Sequence, residues 1–360
     1  MKITDFINVC RQRLSSIYSP EEATAIAHRA LEDIYGISRT RQLTYPDEEI
    51  CPTVSFQKES SFNISSAYNP CVAVSLKSKC ADPEEVISRL EKGEPVQYIA
   101  GFEYFCGEKF KVGPGVLIPR PETEELVNLI AEAFERDFLP GDAGVPKYGG
   151  PESKYRGKRC QCPENQETGI TFNSSQPFKI FDICTGSGCI AWSLHKLLQD
   201  AAAKKNTEIS LESYGCDISE TALKYAKGQR FLYGRRWPMF FRYDVLNGDF
   251  PALKSFIGKL DIIVSNPPYI AEKEKEMMHK NVLDFEPEQA LFVSDDDPLL
   301  FYRKIAEIAQ ELLYPGGKLY FEINPLFADE LKALLLENNF SDIRISKDLT
   351  GRNRFISAMR

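Results

Sequence analysis

The chain has 360 residues, enough for two domains and a sizeable core. Its formal net charge of −8 at pH 7 and pI near 5.3 argue against general electrostatic affinity for nucleic acid, local basic patches such as Arg235-Arg236 apart. No apolar run approaches a membrane span, and the charged start from Met1-Lys2 to Arg13 does not read as a signal peptide, so no membrane association is expected.

Ten cysteines are scattered through apolar segments, as at Cys184, Cys189 and Cys216, the usage of a reduced, cytoplasmic protein. Only Cys160-Gln161-Cys162 is close-spaced, and it lacks a second pair or a nearby histidine. His28, His195 and His279 are far apart in sequence and show no ligand spacing, so no metal site is expected.

Ser19-Pro20-Glu21-Glu22 is a capping box with proline at the first helical position. Ala23, Ile26, Ala27, Ala30, Leu31 and Ile34 then recur at helical spacing until Gly36. Asp82-Pro83-Glu84-Glu85 opens a second helix carrying Val86, Ile87 and Leu90, which stops at Gly93. Residues 46–80 lack helical pattern and are rich in Ser, Pro and Cys. Residues 1–93 are thus expected to be a small, mainly helical domain with an irregular insertion at about 46–80.

The stretch from Phe102 to Val112 has aromatic, alternating character, punctuated by Gly107 and Gly113-Pro114-Gly115. It predicts a β-hairpin connector over 94–117. Ile118-Pro119-Arg120-Pro121-Glu122-Thr123-Glu124-Glu125 opens a helix through Leu126, Val127, Leu129 and Ile130. This cluster reads either as a well-capped helix start or as a place where Arg120 and Glu122 reach a charged ligand. Residues 137–177 are Gly/Pro/Ser-rich without periodicity, a surface-loop insertion.

From residue 178 strands and helices alternate. Strands are expected at 178–183, 209–216, 239–243, 260–265 and 318–323, with helices near 189–199, 219–228 and 299–313. Such alternation implies a mostly parallel sheet covered on both faces. Ile343-Arg344-Ile345 and Phe355 to Ala358 read as a final pair of strands.

Phe181-Asp182-Ile183-Cys184-Thr185-Gly186-Ser187-Gly188-Cys189 is a strand, a glycine-bearing turn and a helix start, where glycines let the backbone approach a ligand. It is neither the dinucleotide fingerprint nor a P-loop. Asp217 follows the second strand, where an acidic side chain accepts from ribose hydroxyls in doubly wound folds; Asp217 or Ser219 acting as a plain helix cap is equally compatible. Asp244 ends the third strand, placed to accept from an adenine amino group, with Val245 supplying backbone contacts. A strand order 3-2-1-4-5 would set Gly186 and Asn266 across one crevice.

Ser265-Asn266-Pro267-Pro268-Tyr269 follows the buried strand Leu260 to Val264, and its two prolines stop that strand abruptly. Asn266 is thereby held at a strand end. If its side-chain oxygen and the Pro267 carbonyl each accept one N–H, a weakly nucleophilic amide or amine nitrogen is fixed with its lone pair free, and Tyr269 is placed to stack on the flat target group. The blander account is a strand-to-loop turn.

The Asp-x-x-Thr-Gly-Ser-Gly loop, the acid after the second strand and Asn-Pro-Pro-Tyr after the fourth resemble a class I S-adenosylmethionine-dependent methyltransferase. Gly93-Glu94-Pro95-Val96-Gln97-Tyr98, the 118–124 segment, Asp284-Phe285-Glu286-Pro287-Glu288-Gln289-Ala290-Leu291 and Phe301-Tyr302-Arg303-Lys304-Ile305 resemble, more narrowly, the HemK/PrmC family. Members of that family methylate the glutamine side-chain nitrogen in the Gly-Gly-Gln motif of peptide chain release factors.

The resemblance implies an α/β, Rossmann-like class I methyltransferase fold with a seven-stranded, mostly parallel sheet over 118–360, behind a mainly helical substrate-docking domain. It implies S-adenosyl-L-methionine as cofactor, release factors as partners and no stable nucleic acid binding. The cofactor would lie on Asp182, Cys184, Thr185, Gly186, Ser187, Gly188, Asp217, Asp244, Val245 and Asn266. The glutamine would lie on Asn266, Pro267, Pro268 and Tyr269, with Asn266, Pro267 and Tyr269 catalytic. Two departures stand out: Cys184 replaces the family's usual first loop glycine, and Asp297-Pro298-Leu299 replaces Asp-Gly-Leu. The rival enzyme reading is a nucleic-acid adenine-amino (N6) methyltransferase, since the same clamp serves an exocyclic amine of a flipped base; a cofactor-binding protein without catalysis is the rival of another class.

Overall fold

The computed structural model describes residues 1–50, 81–139, 177–229, 231 and 237–360. Most of the two expected insertions, the Cys160–Cys162 pair and Arg235-Arg236 lie outside the described residues. Those described form two compact units, Met1–Gly101 with Lys280–Phe285, and Phe102–His279 with Glu286–Arg360.

The first unit is helical: α1 (Ile3–Arg13), α2 (Pro20–Asp33), α3 (Arg39–Thr44), α4 (Pro83–Glu91) and α5 (Val96–Ala100), with a short helix at Lys280–Phe285. The capping box that opens α2 is complete, because Glu22 N–H donates to Ser19 Oγ at 3.2 Å while Ser19 N–H donates to Glu22 Oε2 at 2.9 Å. Ala23, Ala27, Ala30 and Leu31 of α2 bury one stripe in a common core with Ile3, Phe6 and Cys10 of α1 and Val86, Ile87 and Leu90 of α4.

Two expectations change here. Residues 96–100 are a helical turn rather than part of a hairpin connector, because Pro95 precedes the turn and Gly101, at φ +81°, closes it. The irregular segment begins beyond residue 46, since Glu49 bridges Lys2 and Ile50 is buried.

The second unit opens with the antiparallel hairpin β1 (Phe102–Phe105) and β2 (Glu108–Lys111). Helix α6 (Pro121–Phe138) follows, so residues 137 and 138 end a helix instead of starting a loop; Asp137 is held there by Lys318 Nζ at 2.5 Å. The strands β3 (Phe178–Ile183), β4 (Leu211–Asp217), β5 (Met239–Arg242), β6 (Leu260–Ser265), β9 (Leu313–Glu322), β10 (Ser341–Lys347) and β11 (Asn353–Met359) build one sheet. The short pair β7 (Ile270–Ala271) and β8 (Phe292–Val293) stands apart from it. The helices are α7 (Cys189–Lys204), α8 (Glu220–Gly228), α9 (Leu300–Leu312) and α10 (Ala328–Glu337).

Across the sheet the order is β5-β4-β3-β6-β9-β11-β10; the first five are parallel, β11 runs antiparallel to them, and β10 pairs antiparallel with β11 and so runs with the first five. Counted along the chain, the first five run 3-2-1-4-5, as the alternation and the crevice argument expect. Consecutive residues face opposite layers: Phe181 and Ile263 pack towards α9 and α10, while Ile180, Ile262 and Val264 pack towards α6 and α7. All six residues of β6 are buried, Asp261 and Ser265 included, and its middle, Ile262-Ile263-Val264, reads as an uninterrupted apolar run. Among the described residues no helix is long and apolar enough to cross a membrane.

Candidate active site

The carboxyl ends of β3, β4 and β6 lie level, because Ile183 pairs with both Cys216 and Ser265. Ser265 Oγ donates to the Ile183 carbonyl at 2.5 Å and ties the two central strand ends together. Here the strand order reverses, so the following loops diverge and leave a crevice. A cavity of about 220 Å³ fills it.

One wall is the turn after β3. Cys184, Thr185, Gly186 and Ser187 line the cavity. Asp182 sits beneath them, wholly buried, accepting from Thr185 Oγ1 at 2.5 Å and from Ala191 N–H at 3.2 Å. Burial pushes its carboxyl up to about 7, although Thr185 and the Ala191 N–H pull the other way. Asp182 thus shapes the turn from below and is absent from the wall. Gly188 is absent from it too: at φ +80° it opens α7, and a Cβ there would stand 3.0–3.1 Å from Phe240, Ala226 and Trp192.

Asp217 stands at the tip of β4, one Oδ2 accepting from Gly186 N–H at 2.9 Å and Oδ1 from Ser219 N–H at 2.8 Å. A carboxylate can accept more bonds than these, which suits a ribose diol. Burial raises this carboxyl, opposed by those backbone N–H groups and by that of Ile218. The cap of α8 belongs to Ser219, whose Oγ accepts from Ala222 N–H at 3.2 Å, so Asp217 is not needed as the cap.

Asp244 and Val245, beyond β5 and next to the tip of β4, line it as well. The Asp244 carboxylate already accepts from Leu246 N–H (2.9 Å), Asn247 N–H (3.1 Å) and Asn247 Nδ2 (3.2 Å). Burial raises it, but these donors outweigh that and hold it below the ordinary range.

At the end of β6, Asn266 and Pro268 line the cavity, with Pro267 buried behind them. Asn266 Nδ2 donates to Thr123 Oγ1 at 3.2 Å. Tyr269 does not line the cavity; its hydroxyl donates to Glu322 Oε1 at 3.0 Å. The ring expected to stack on a target is therefore anchored to the end of β9, half-buried against the core, because the two prolines turn the chain back towards that strand.

A family model described as N-6 DNA Methylase matches residues 168–301. A release factor glutamine methyltransferase of Bacteroides thetaiotaomicron is 37% identical over 359 residues, 100% of this chain and 99% of that protein. This chain belongs to the release factor glutamine methyltransferase family. A second member, from Flavobacterium psychrophilum, is 37% identical over 96% of this chain and 94% of its own length. Among solved structures, the protein-(glutamine-N5) methyltransferase (release factor-specific) from Alicyclobacillus acidocaldarius aligns with 24% identity and a TM-score of 0.32, covering 70% of this chain and 99% of that one.

In this member of the release factor glutamine methyltransferase family, Cys184 takes φ +62°, a left-handed conformation that a glycine would hold without strain. Its side chain forms part of the cavity wall, where burial drives the thiol well above its usual range and keeps it a neutral, apolar neighbour. The cavity also takes Gly115 and Val116 from beyond the hairpin, Thr123 from the first turn of α6, and Gln289. Sequence reasoning assigned none of these to the site. Glu286 is buried and binds two parts of the 118–124 segment, Ile118 N–H at 3.1 Å and Arg120 Nη2 at 2.6 Å. That pairing accounts for both family motifs at once, and it draws Arg120 to the cavity wall, whereas Glu122 does not line it.

Proposed function

We propose that the protein transfers a methyl group from S-adenosyl-L-methionine to the side-chain amide nitrogen of the glutamine in the Gly-Gly-Gln motif of release factors. The observation that carries this reading is convergence: a half-buried carboxylate held by backbone N–H groups at a strand tip, Asp217, and a strand-end amide, Asn266, share the wall of one cavity. Full-length likeness to release factor glutamine methyltransferases supports the choice of substrate.

The residues present suit the cofactor. Asp217 would hold the ribose hydroxyls, Asp244 and Val245 the adenine, and the 184–187 part of the turn the methionine portion, where Gly186 offers open space on the side a Cβ would occupy. When bound, S-adenosylmethionine supplies an electrophilic methyl group. The rest is positioning by the chain. The Asn266 side-chain oxygen and the Pro267 carbonyl each accept one N–H of the glutamine amide, which aims its nitrogen and sets two negative dipoles against developing positive charge. No side-chain base is required, because an amide nitrogen that gains an alkyl group becomes strongly acidic and releases its proton to water. Pro268 packs beside the target and Tyr269 holds the turn in place through Glu322.

One glutamine side chain offers little binding area, so affinity comes from the body of the release factor, which we assign to the helices of the first unit. The protein acts in the cytoplasm, where its substrates work. Incubation with radiolabelled cofactor tests the reading: intact release factor gains label at the glutamine, its Gln→Glu variant gains none, and a short Gly-Gly-Gln peptide is a far poorer substrate.

The N-6 DNA Methylase match over 168–301 favours a second reading, methylation of an adenine amino group by the same clamp. Label on DNA adenine, with none on the glutamine by mass spectrometry, would establish it. The net charge of −8 weighs against it.

A further inference from the structure

The 118–124 segment carries a residue that the binding roles above leave unexplained. Thr123 is 3 % exposed, in the first turn of α6, and touches two other segments of the chain. Its Oγ1 donates to Glu322 Oε2 at 2.7 Å and accepts from Asn266 Nδ2 at 3.2 Å. Glu322, the last residue of β9, is 1 % exposed and has Tyr269 on its other oxygen at 3.0 Å. Burial, with Glu322 beside it, pushes the Tyr269 phenol up, so it remains a donor.

An asparagine amide has two ends of nearly the same shape and opposite hydrogen-bonding sense. A hydroxyl has one proton. Because Thr123 gives its proton to Glu322, it can face Asn266 only as an acceptor. That forces the Asn266 NH₂ towards Thr123 and turns Oδ1 the other way. Reversed, the amide would aim an NH₂ at the NH₂ of the target, donor against donor, and the clamp would not close.

We propose that Thr123, polarised by Glu322, is a positioning residue that sets the orientation of the Asn266 amide and thereby makes the site selective for an N–H-bearing target nitrogen. This rests on the functional reading above, and the test separates the two.

Thr123→Val keeps shape and removes the hydroxyl. Its kcat on release factor should fall by about 10- to 100-fold, the usual cost of losing an orienting partner, with KM and S-adenosylhomocysteine affinity unchanged. Thr123→Ser should restore kcat. Glu322→Gln, with one acceptor oxygen for two hydroxyls, should fall between wild type and Thr123→Val. In an Asn266→Ala background, Thr123→Val should cost nothing further, since it acts through an amide no longer there. A merely structural role would instead lower melting temperature and cofactor affinity, and its effect would persist in that background.

A readout independent of activity is the Asn266 side-chain NH₂ resonance in ¹⁵N-labelled protein, assigned by its loss in Asn266→Ala. In wild type its protons should exchange slowly with solvent; in Thr123→Val they should exchange at least tenfold faster. Equal exchange, or full turnover by Thr123→Val, overturns the proposal. Slow exchange in wild type and fast exchange in Thr123→Val, in a protein that leaves the release-factor glutamine unmodified, upholds the orientation device and removes the substrate reading instead.

Discussion

Replacing Asp217 with alanine tests the cofactor end of the site. Its carboxylate accepts from the Gly186 and Ser219 N–H groups at 2.9 and 2.8 Å, and the proposed role adds one bond from each of two ribose hydroxyls. Hydrogen bonds to a charged group contribute about 1.5–3 kcal/mol each, so two amount to about 3–6 kcal/mol. At about 1.4 kcal/mol per decade, S-adenosylhomocysteine should bind the variant roughly 10²- to 10⁴-fold more weakly. Melting temperature should move little. The variant loses the acceptor for two backbone N–H groups, but it also relieves the burial of a charge, which is what raises this carboxyl. Isothermal titration calorimetry with S-adenosylhomocysteine gives the affinity without turnover. Equal affinities of variant and wild type would take Asp217 out of the site, and a large loss of melting temperature would recast it as a fold residue.

Asn266→Ala should bind S-adenosylhomocysteine as the wild type does while turnover on release factor drops by about 10²- to 10³-fold; near-normal turnover would contradict the clamp. Asp182→Asn keeps an acceptor for Thr185 and Ala191 but cannot ionise. Because the folded carboxyl lies at about 7 against an ordinary value of 3.8, its contribution to wild-type stability is present below about 4 and lost as pH rises towards 7. Thermal melts from pH 4 to pH 8 should therefore fall less steeply in the variant, and parallel curves would refute this. Gly188→Ala puts a methyl group 3.0–3.1 Å from Phe240, Ala226 and Trp192 at φ +80°, so chemical denaturation should show a loss of at least about 1–2 kcal/mol. An unchanged midpoint would mean that the aromatic cluster gives way.

How far the fold could be read in advance depended on how local its causes are. Strand–helix alternation from residue 178 carries its own periodicity, and the loop after β3 and the Asn-Pro-Pro-Tyr turn both sit at strand ends, so the order 3-2-1-4-5 and a shared crevice follow from segments read one at a time. What escaped was non-local. Nothing around Thr123 marks it as a partner of Asn266 and Glu322, because a threonine in a first helical turn looks like an ordinary starting residue. Tyr269 looked like a stacking ring because its neighbours in sequence say nothing of the carboxylate at the end of β9. The helical turn at 96–100 was hidden by β-branched Val96 and Ile99, whose strand preference is overruled by Pro95 before them and Gly101 after.

The three partners in the amide network come from distant stretches: Thr123 and Asn266 are 143 residues apart, Thr123 and Glu322 199. Contacts so remote in sequence form late, because closing such loops costs chain entropy before any bond repays it. During synthesis, Asp182, Gly186 and Asp217 have all left the ribosome before Asn266 is made, and Glu322 follows 56 residues behind that. A nascent chain therefore holds Asp182, Gly186 and Asp217 well before the Thr123–Asn266–Glu322 network can be complete. If Thr123 orients Asn266 as proposed, the clamp is set only once β9, the last of the five adjacent parallel strands, brings Glu322 into place.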